Sequence, residues 1–106
     1  GGLSVIDVTN PRQPRVLSDD TQALPAMDVV VSNDESLDLV RAGANPAVLR
    51  YRLDRNALPV LVAIRTLPSG TAPGAIASDG TYTLMTMLRQ GWKFVTPAEF
   101  SRIPSS

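Results

Sequence analysis

The amino-acid sequence predicts an α+β fold: a small, strand-rich single domain over residues 1–106, with one or two short helices and a long loop rich in proline and glycine. Short apolar and β-branched runs bounded by Pro, Gly, Asn and Asp are typical of strands and turns. Two other segments carry helix start and stop signals. At 106 residues, the length suits one domain with one modest core.

The N-terminal third is predicted to hold two strands joined by a loop. Residues 2–8 alternate in the manner of a strand, and a Thr-Asn-Pro sequence ends it. Residues 16–21 are short and then acidic, which favours a loop that continues to Pro25. Residues 27–31 are compact and β-branched, and are therefore predicted to form the second strand.

The first helix is predicted over residues 37–43. Ser32 or Asn33 can cap it, and the acidic residues that follow favour the positive end of a helix. The spacing of the apolar residues fits two turns, and Gly43 ends them. A hairpin with an Asn-Asp turn is the alternative.

Two strands are predicted in the middle of the chain. Residues 48–53 alternate apolar side chains with Arg50 and Arg52, which is typical of an edge strand protected by arginines. Residues 58–67 contain a continuous apolar run and are predicted to be a strand buried on both faces. Residues 68–78 are predicted to be a surface loop or an arm that becomes ordered against a neighbouring subunit.

The C-terminal quarter is predicted to form a turn, a short helix and a strand. Asp79 and Gly80 make a turn signal. Residues 83–90 are predicted to form the helix with Gly91 as its stop, and a hairpin that turns at residues 89–91 is the alternative. Residues 92–95 are predicted to be a strand, followed by a helical turn at 97–100 capped by Thr96. The predicted core consists of Val30, Leu61, Val62, Ile64, Trp92 and Phe94. Trp92 and Phe94 could instead anchor a partner.

Composition excludes the commonest catalytic chemistries. The chain has no cysteine and no histidine, which rules out thiolate zinc sites, Ser-His-Asp and Cys-His catalysis, and histidine–metal sites. Ten basic and ten acidic residues balance, so no long-range attraction for nucleic acid is expected. The sequence shows neither a signal peptide nor an apolar stretch long enough to cross a membrane.

Three segments were considered as ligand sites and rejected. Asp34 and Asp38 lie four residues apart, but solvated carboxylates at a helix start explain them better than a metal site does. Residues 69–74 superficially resemble a phosphate-binding loop, yet they lack its Gly-Lys-Ser/Thr ending. The arginines around Tyr51 could contact phosphates while the ring stacks on a base, but the balanced charge favours the edge strand. We therefore expect no metal, no cofactor and no catalytic residue.

Five residues are candidates for a protein interface. Nine of the ten basic residues are arginines, whose planar guanidinium suits lasting interfaces. Tryptophan and arginine also dominate the binding energy of protein interfaces. The candidates are Arg50, Arg52, Arg55, Tyr82 and Trp92.

Two segments resemble known families. Residues 1–14 resemble one strand and turn of the LVIVD-type β-propeller repeat, although nothing downstream repeats them. Residues 78–82 followed by 89–97 resemble the tail of small phage-encoded virion-type proteins, in which an Asp-Gly-aromatic turn precedes a Gly-Trp-basic-x-Val ending. The second resemblance covers about a quarter of the chain and implies a structural role without catalytic residues.

The sequence thus predicts a non-enzymatic structural protein that makes protein–protein contacts in a homo- or hetero-oligomeric assembly. A capsid or tail component of a phage virion is the specific expectation, located in the virion or in the cytoplasm of the producing cell. No nucleic-acid or membrane partner is expected. The alternative is a β-rich module that binds a ligand or a protein, such as a fragment of a propeller.

Overall fold

The computed structural model describes residues 2–20, 25–32, 35–55, 58–79, 81–87 and 91–102. These residues form ten strands, and their only helical segment is one 3-10 turn at Pro97–Glu99. The strands are β1 Leu3–Asp7, β2 Arg15–Asp20, β3 Ala26–Val31, β4 Ser36–Arg41, β5 Ala47–Leu53, β6 Pro59–Thr66, β7 Pro73–Ser78, β8 Thr83–Met87, β9 Gly91–Val95 and β10 Ser101–Arg102. The fold is nearly all β, and the predicted α+β class is wrong. No helix in this part of the chain is long and apolar enough to span a membrane.

The described strands pair into three antiparallel sheets. The N-terminal ribbon consists of β1 and β2, the central sheet has the order β10-β6-β5-β4-β3, and the C-terminal sheet has the order β7-β8-β9. Every pair except β10 with β6 joins strands that follow each other in the chain. Such pairs need only short turns, as is usual for antiparallel sheets.

The central sheet is buried on both faces. One face packs with Leu3 of the N-terminal ribbon, and the other packs against the C-terminal sheet. The first cluster contains Leu3, Leu37, Leu39, Ala47, Leu49 and Tyr51, and the second contains Val40, Val48, Leu67, Ile76, Met85, Met87 and Val95. Successive residues of β4 and β5 therefore face two different apolar cores.

This double burial explains why the predicted helix over residues 37–43 is wrong. Leu37, Leu39 and Val40 are all buried, so β4 lacks the alternation of a half-exposed strand and its spacing resembles that of a helix. The hairpin alternative is correct, because β3 pairs with β4 from Val31 opposite Leu37 onwards. Asn33 and Asp34, the expected turn residues, lie outside the described residues.

The predicted helix over residues 83–90 is also wrong. β8 pairs with β9 from Thr83 opposite Val95 to Met87 opposite Gly91, which is the hairpin alternative. Gly91 adopts a φ of 84°, a conformation that glycine reaches without steric cost. Residues 88–90 lie outside the described residues.

Two segments expected to be loops contain strands. β2 occupies much of the loop predicted before Pro25, where it pairs with β1. β7 occupies residues 73–78 of the predicted loop or arm, which leaves residues 68–72 outside the strands. The backbone N–H of Ile76 in β7 donates to Asp28 Oδ2 of β3 at 2.9 Å, which ties the C-terminal sheet to the edge of the central sheet.

The strands predicted at β1, β3, β5, β6 and β9 are present, but their surroundings differ from the prediction. β5 is the middle strand of the central sheet rather than an edge strand. β6 is not buried on both faces, since Val60 is 45% exposed. The turn at Pro97–Glu99 follows Thr96 as predicted, although the Thr96 side chain makes no capping hydrogen bond.

The predicted core is partly wrong. Leu61 and Ile64 are half-buried against the first cluster, Val30 against the second, and Val62 is also half-buried. Trp92 and Phe94, in contrast, are exposed on the outer face of the C-terminal sheet.

Candidate protein-binding surface

The outer face of the C-terminal sheet carries four large apolar side chains in the open. Tyr82 immediately precedes β8, Leu84 lies on β8, and Trp92 and Phe94 lie on β9. Their exposed fractions are 44% for Tyr82, 43% for Leu84, 68% for Trp92 and 46% for Phe94. These four residues are called the aromatic face below.

The strand register brings these side chains together. Leu84 is paired with Phe94, and Thr86 is paired with Trp92. The residues between them on the two strands point the other way, and Thr83, Met85 and Val95 are buried against the central sheet. Because successive side chains of a strand point to opposite faces, only one of the two apolar faces of this hairpin is covered.

The aromatic face is as large as the main apolar patch of many monomeric proteins. From the exposed fractions, the four side chains leave roughly 400 Å² of mainly apolar area in contact with water, given 150–250 Å² for a whole aromatic side chain. The largest apolar patch on a typical monomer is about 300–600 Å² and is often functional. The aromatic face is therefore a candidate binding surface.

Tyr82 is held in place before any partner arrives. Its ring stacks on Phe94 with the centroids 5.3 Å apart and an angle of 16° between the planes. Asp79 Oδ1 accepts hydrogen bonds from the backbone N–H groups of Thr81 and Tyr82, each at 2.8 Å. A fixed aromatic side chain loses little entropy on binding, which is typical of residues that anchor an interface.

These hydrogen bonds also act on Asp79. The N–H of Tyr82 and then that of Thr81 hold the pKa of the Asp79 carboxyl below its ordinary value of 3.8. The ionised carboxylate is thus the form that organises the turn.

The structure separates the five predicted interface residues into three groups. Tyr82 and Trp92 lie on the aromatic face. Arg52 is exposed at the end of β5, and Arg55 is exposed just after that strand. Arg50 is not a surface residue, because only 14% of its side chain is exposed.

Arg50 belongs to a buried polar cluster between the central and C-terminal sheets. Its Nε and Nη2 donate to the two carboxylate oxygens of Asp38 at 2.9 and 3.0 Å. The hydroxyl of Thr83 on β8 donates to Asp38 Oδ2 at 2.5 Å, and Arg50 Nη2 also donates to the Thr81 carbonyl at 3.2 Å. The guanidinium lies 4.2 Å from the centroid of the Phe100 ring. This cluster joins the two sheets, and its polar groups are directed inwards.

One member of the acidic pair considered as a metal site takes part in this arrangement. Asp38 is 1% exposed and bound to Arg50, and Asp34 lies outside the described residues. Within the described ranges, no group of three or more acidic, cysteine or histidine residues is placed to hold a metal ion.

Residues 70–74, part of the segment 69–74 that superficially resembles a phosphate-binding loop, border an open cleft of about 820 Å³. Met27, Gly43, Thr86 and Met87 lie on its other walls. No charged side chain is present among the described residues of this lining. A cleft without a cation suits an apolar group better than a phosphate.

Sequence reasoning missed Leu84 as a member of the surface, because it places Leu84 on one face of a helix. It favours the core for Phe94, with a partner anchor as the alternative. One signal could have identified them: apolar residues occur on both faces of two short paired strands. A three-stranded sheet in a small protein packs only one face against the core, so the apolar residues of its other face are exposed.

Comparisons with known proteins give no information on the role of this surface. No family model, no curated protein and no solved structure matches this chain.

Proposed function

We propose that this chain is a non-enzymatic assembly domain whose aromatic face binds another protein subunit, and that this subunit is a second copy of the same chain. The observation that carries the proposal is the exposure of Tyr82, Leu84, Trp92 and Phe94 on one face of a paired hairpin. Aromatic residues of this kind supply most of the binding energy at protein interfaces.

The charge pattern favours a second copy as the partner. The outward positions of β8 and β9 are Leu84, Thr86, Trp92 and Phe94, and none carries a charge. Two such faces can meet without burying an unpaired ion, which would cost several kcal/mol. The formal net charge of zero also means that two copies do not repel each other at long range.

The size of the face sets the expected affinity. A stable interface buries about 800 Å² on each partner, and the aromatic face supplies roughly half of that. The surrounding rim must supply the rest, so a reversible dimer in the micromolar range is expected.

The polar groups of the described residues support a role without catalysis. The polar cluster formed by Asp38, Arg50 and Thr83 is held together by its own hydrogen bonds. Its groups hold two sheets together, so they are not available to a substrate.

Analytical ultracentrifugation across a range of concentrations tests the proposal. We expect the wild-type chain to dimerise reversibly, and Trp92→Ala to weaken the dimer by roughly thirtyfold, as loss of an interface hot spot does. The denaturation midpoint of Trp92→Ala should stay close to that of the wild type, because the side chain is 68% exposed.

Val60→Ala is the matched control, since Val60 is 45% exposed on β6, outside the aromatic face. A wild-type chain that stays monomeric at all concentrations would overturn the proposal. Equal weakening by the Trp92 and Val60 substitutions would also overturn it.

We further propose that the assembly is part of a phage virion, as a capsid or tail component in the particle or in the cytoplasm of the producing cell. The support is the resemblance of residues 78–82 and 89–97 to small virion-type proteins. A virion needs contacts beyond one two-fold interface, and the exposed Met27, Val29 and Val31 of β3 offer a second apolar strand. Light scattering of the concentrated protein should then detect particles far larger than a dimer, whereas a dimer that never grows would argue against a self-assembling virion protein.

A further inference from the structure

A second cavity lies beside β9 and is distinct in character from the aromatic face. It has a volume of about 460 Å³ and lies between Arg65 of β6, residues 68–71, and Trp92 and Lys93 of β9. This volume falls within the range of small-molecule sites. Its described lining contains two cations, the hydroxyl groups of Ser69 and Thr71, and no carboxylate.

The two cations are drawn together by a carboxylate outside that lining. Glu99 Oε2 lies 3.3 Å from Arg65 Nε and 3.5 Å from Lys93 Nζ. Burial raises the pKa of Glu99, but Lys93, the backbone N–H of Thr96 and Arg65 outweigh it, so that the pKa lies below 4.5. Glu99 therefore stays ionised at neutral pH and positions both cations. Two positive charges against one negative charge leave a net positive charge beside the cavity.

Trp92 adds a flat apolar surface to the same cavity. Its indole is 68% exposed. Trp92 and Lys93 point to opposite faces of β9, but β9 is the edge strand of its sheet, so a cavity along that edge borders both residues. An aromatic ring can stack on an indole, while a carboxylate accepts charge-assisted hydrogen bonds from guanidinium and ammonium groups.

We propose that this cavity binds a small aromatic carboxylate, with the carboxylate between Arg65 and Lys93 and the ring against Trp92. The hydroxyl groups of Ser69 and Thr71 are the remaining donors in the lining. The cavity shares Trp92 with the aromatic face, so a bound ligand and a second copy of the chain compete for the indole, but ligand binding itself needs only one copy.

The chain carries its own reporter, since Trp92 is its only tryptophan. Titration with benzoate at a protein concentration where the chain is monomeric should give a saturable change in tryptophan fluorescence. Benzamide, which has the same ring and no charge, should bind at least about tenfold more weakly, because a charge-assisted hydrogen bond contributes that much to a dissociation constant. Arg65→Gln and Lys93→Gln should each weaken benzoate binding by a similar factor, and the exposed Arg102→Gln should not change it.

Glu99→Gln separates binding from folding. This substitution removes the carboxylate that competes for both cations, so benzoate should bind severalfold more tightly, a gain that damage to the fold cannot produce. Equal responses to benzoate and benzamide, no saturable response, or unchanged binding in Glu99→Gln would each overturn the assignment. These results would leave the dimerisation test untouched.

Discussion

The central and C-terminal sheets differ in which side chains they bury: the central sheet encloses a charged side chain, whereas the C-terminal sheet exposes aromatic ones. Arg50 in the central sheet is buried with 14% of its side chain exposed, whereas Trp92 in the C-terminal sheet is 68% exposed. From polarity alone, arginine is expected on the surface and tryptophan in the interior. The contrast shows that a side chain is buried here when another layer covers its face of the sheet, whatever its polarity. A charged side chain on a covered face then needs a counter-ion.

The adaptation is visible in the contacts. β5 is the middle strand of a sheet covered on both faces, and the Arg50 side chain, which is only 14% exposed, must therefore be paired. Asp38, directly across the strand pair, supplies the counter-ion, and Thr83 from the other sheet completes the site. The C-terminal sheet has a single covered face, so its outward apolar residues are exposed to water.

The largest expected effect comes from removing the partner of Arg50. Asp38→Ala leaves a buried guanidinium without its bidentate carboxylate, which should lower the free energy of unfolding by about 3–5 kcal/mol. Chemical denaturation followed by circular dichroism measures it.

Asp7→Ala is the matched control for that substitution. Asp7 is also paired with an arginine, but the Arg15 side chain is 73% exposed and the contact is 3.4 Å long. Little change in stability is expected there. Equal effects of the two substitutions would mean that the Asp38 pair is not sealed from water, and the contrast between the two sheets would fail.

Two leucines sharpen the contrast with identical chemistry. Leu39 is 1% exposed in the central sheet, and Leu84 is 43% exposed on the aromatic face. Leu39→Ala should cost about 2–5 kcal/mol through lost burial and the cavity left behind. Leu84→Ala should stay within about 1 kcal/mol of the wild type, as surface changes usually do.

Both free energies come from the same urea titrations. If Leu84→Ala proved as costly as Leu39→Ala at concentrations where the chain is monomeric, the aromatic face would be part of the core and could not be a binding surface.

The two sheets also show which strands can be predicted from the sequence and which cannot. Residues 27–31 and 92–95 are predicted as strands because β-branched and aromatic residues between turn signals have few other interpretations. Residues 37–41 are not, because burial on both faces removes the period of two and leaves a spacing that also fits a helix. Local pattern cannot distinguish these cases when the covering layers come from distant parts of the chain.

The candidate surface shows the same limit. Tyr82 and Trp92 were named as interface candidates, while Leu84 and Phe94 were not, and Arg50 was named although it is buried. Which face of a hairpin meets the core depends on long-range packing, such as the contact of Met85 and Val95 with Val40 and Val48. Both sides of β8 and β9 carry apolar residues, so the residue types alone do not identify the side that meets the core.

The smallest expected effect concerns the turn that positions Tyr82. The pKa of Asp79 is lowered from 3.8 by the N–H groups of Tyr82 and Thr81, so its ionised form is favoured in the folded chain. A carboxyl group with a lowered folded-state pKa contributes stability above its unfolded pKa, and that contribution is lost as the pH falls through the folded value.

We therefore expect the Tyr82 and Phe94 ring resonances to shift below about pH 4, together with the Asp79 carboxyl signal, in an NMR titration. Asp79→Asn keeps an acceptor oxygen but no charge, so it should remove this pH dependence while leaving the stacked pair largely intact. Ring shifts that persist in Asp79→Asn would assign the titration to another carboxylate and separate the Asp79 turn from the order of the aromatic face.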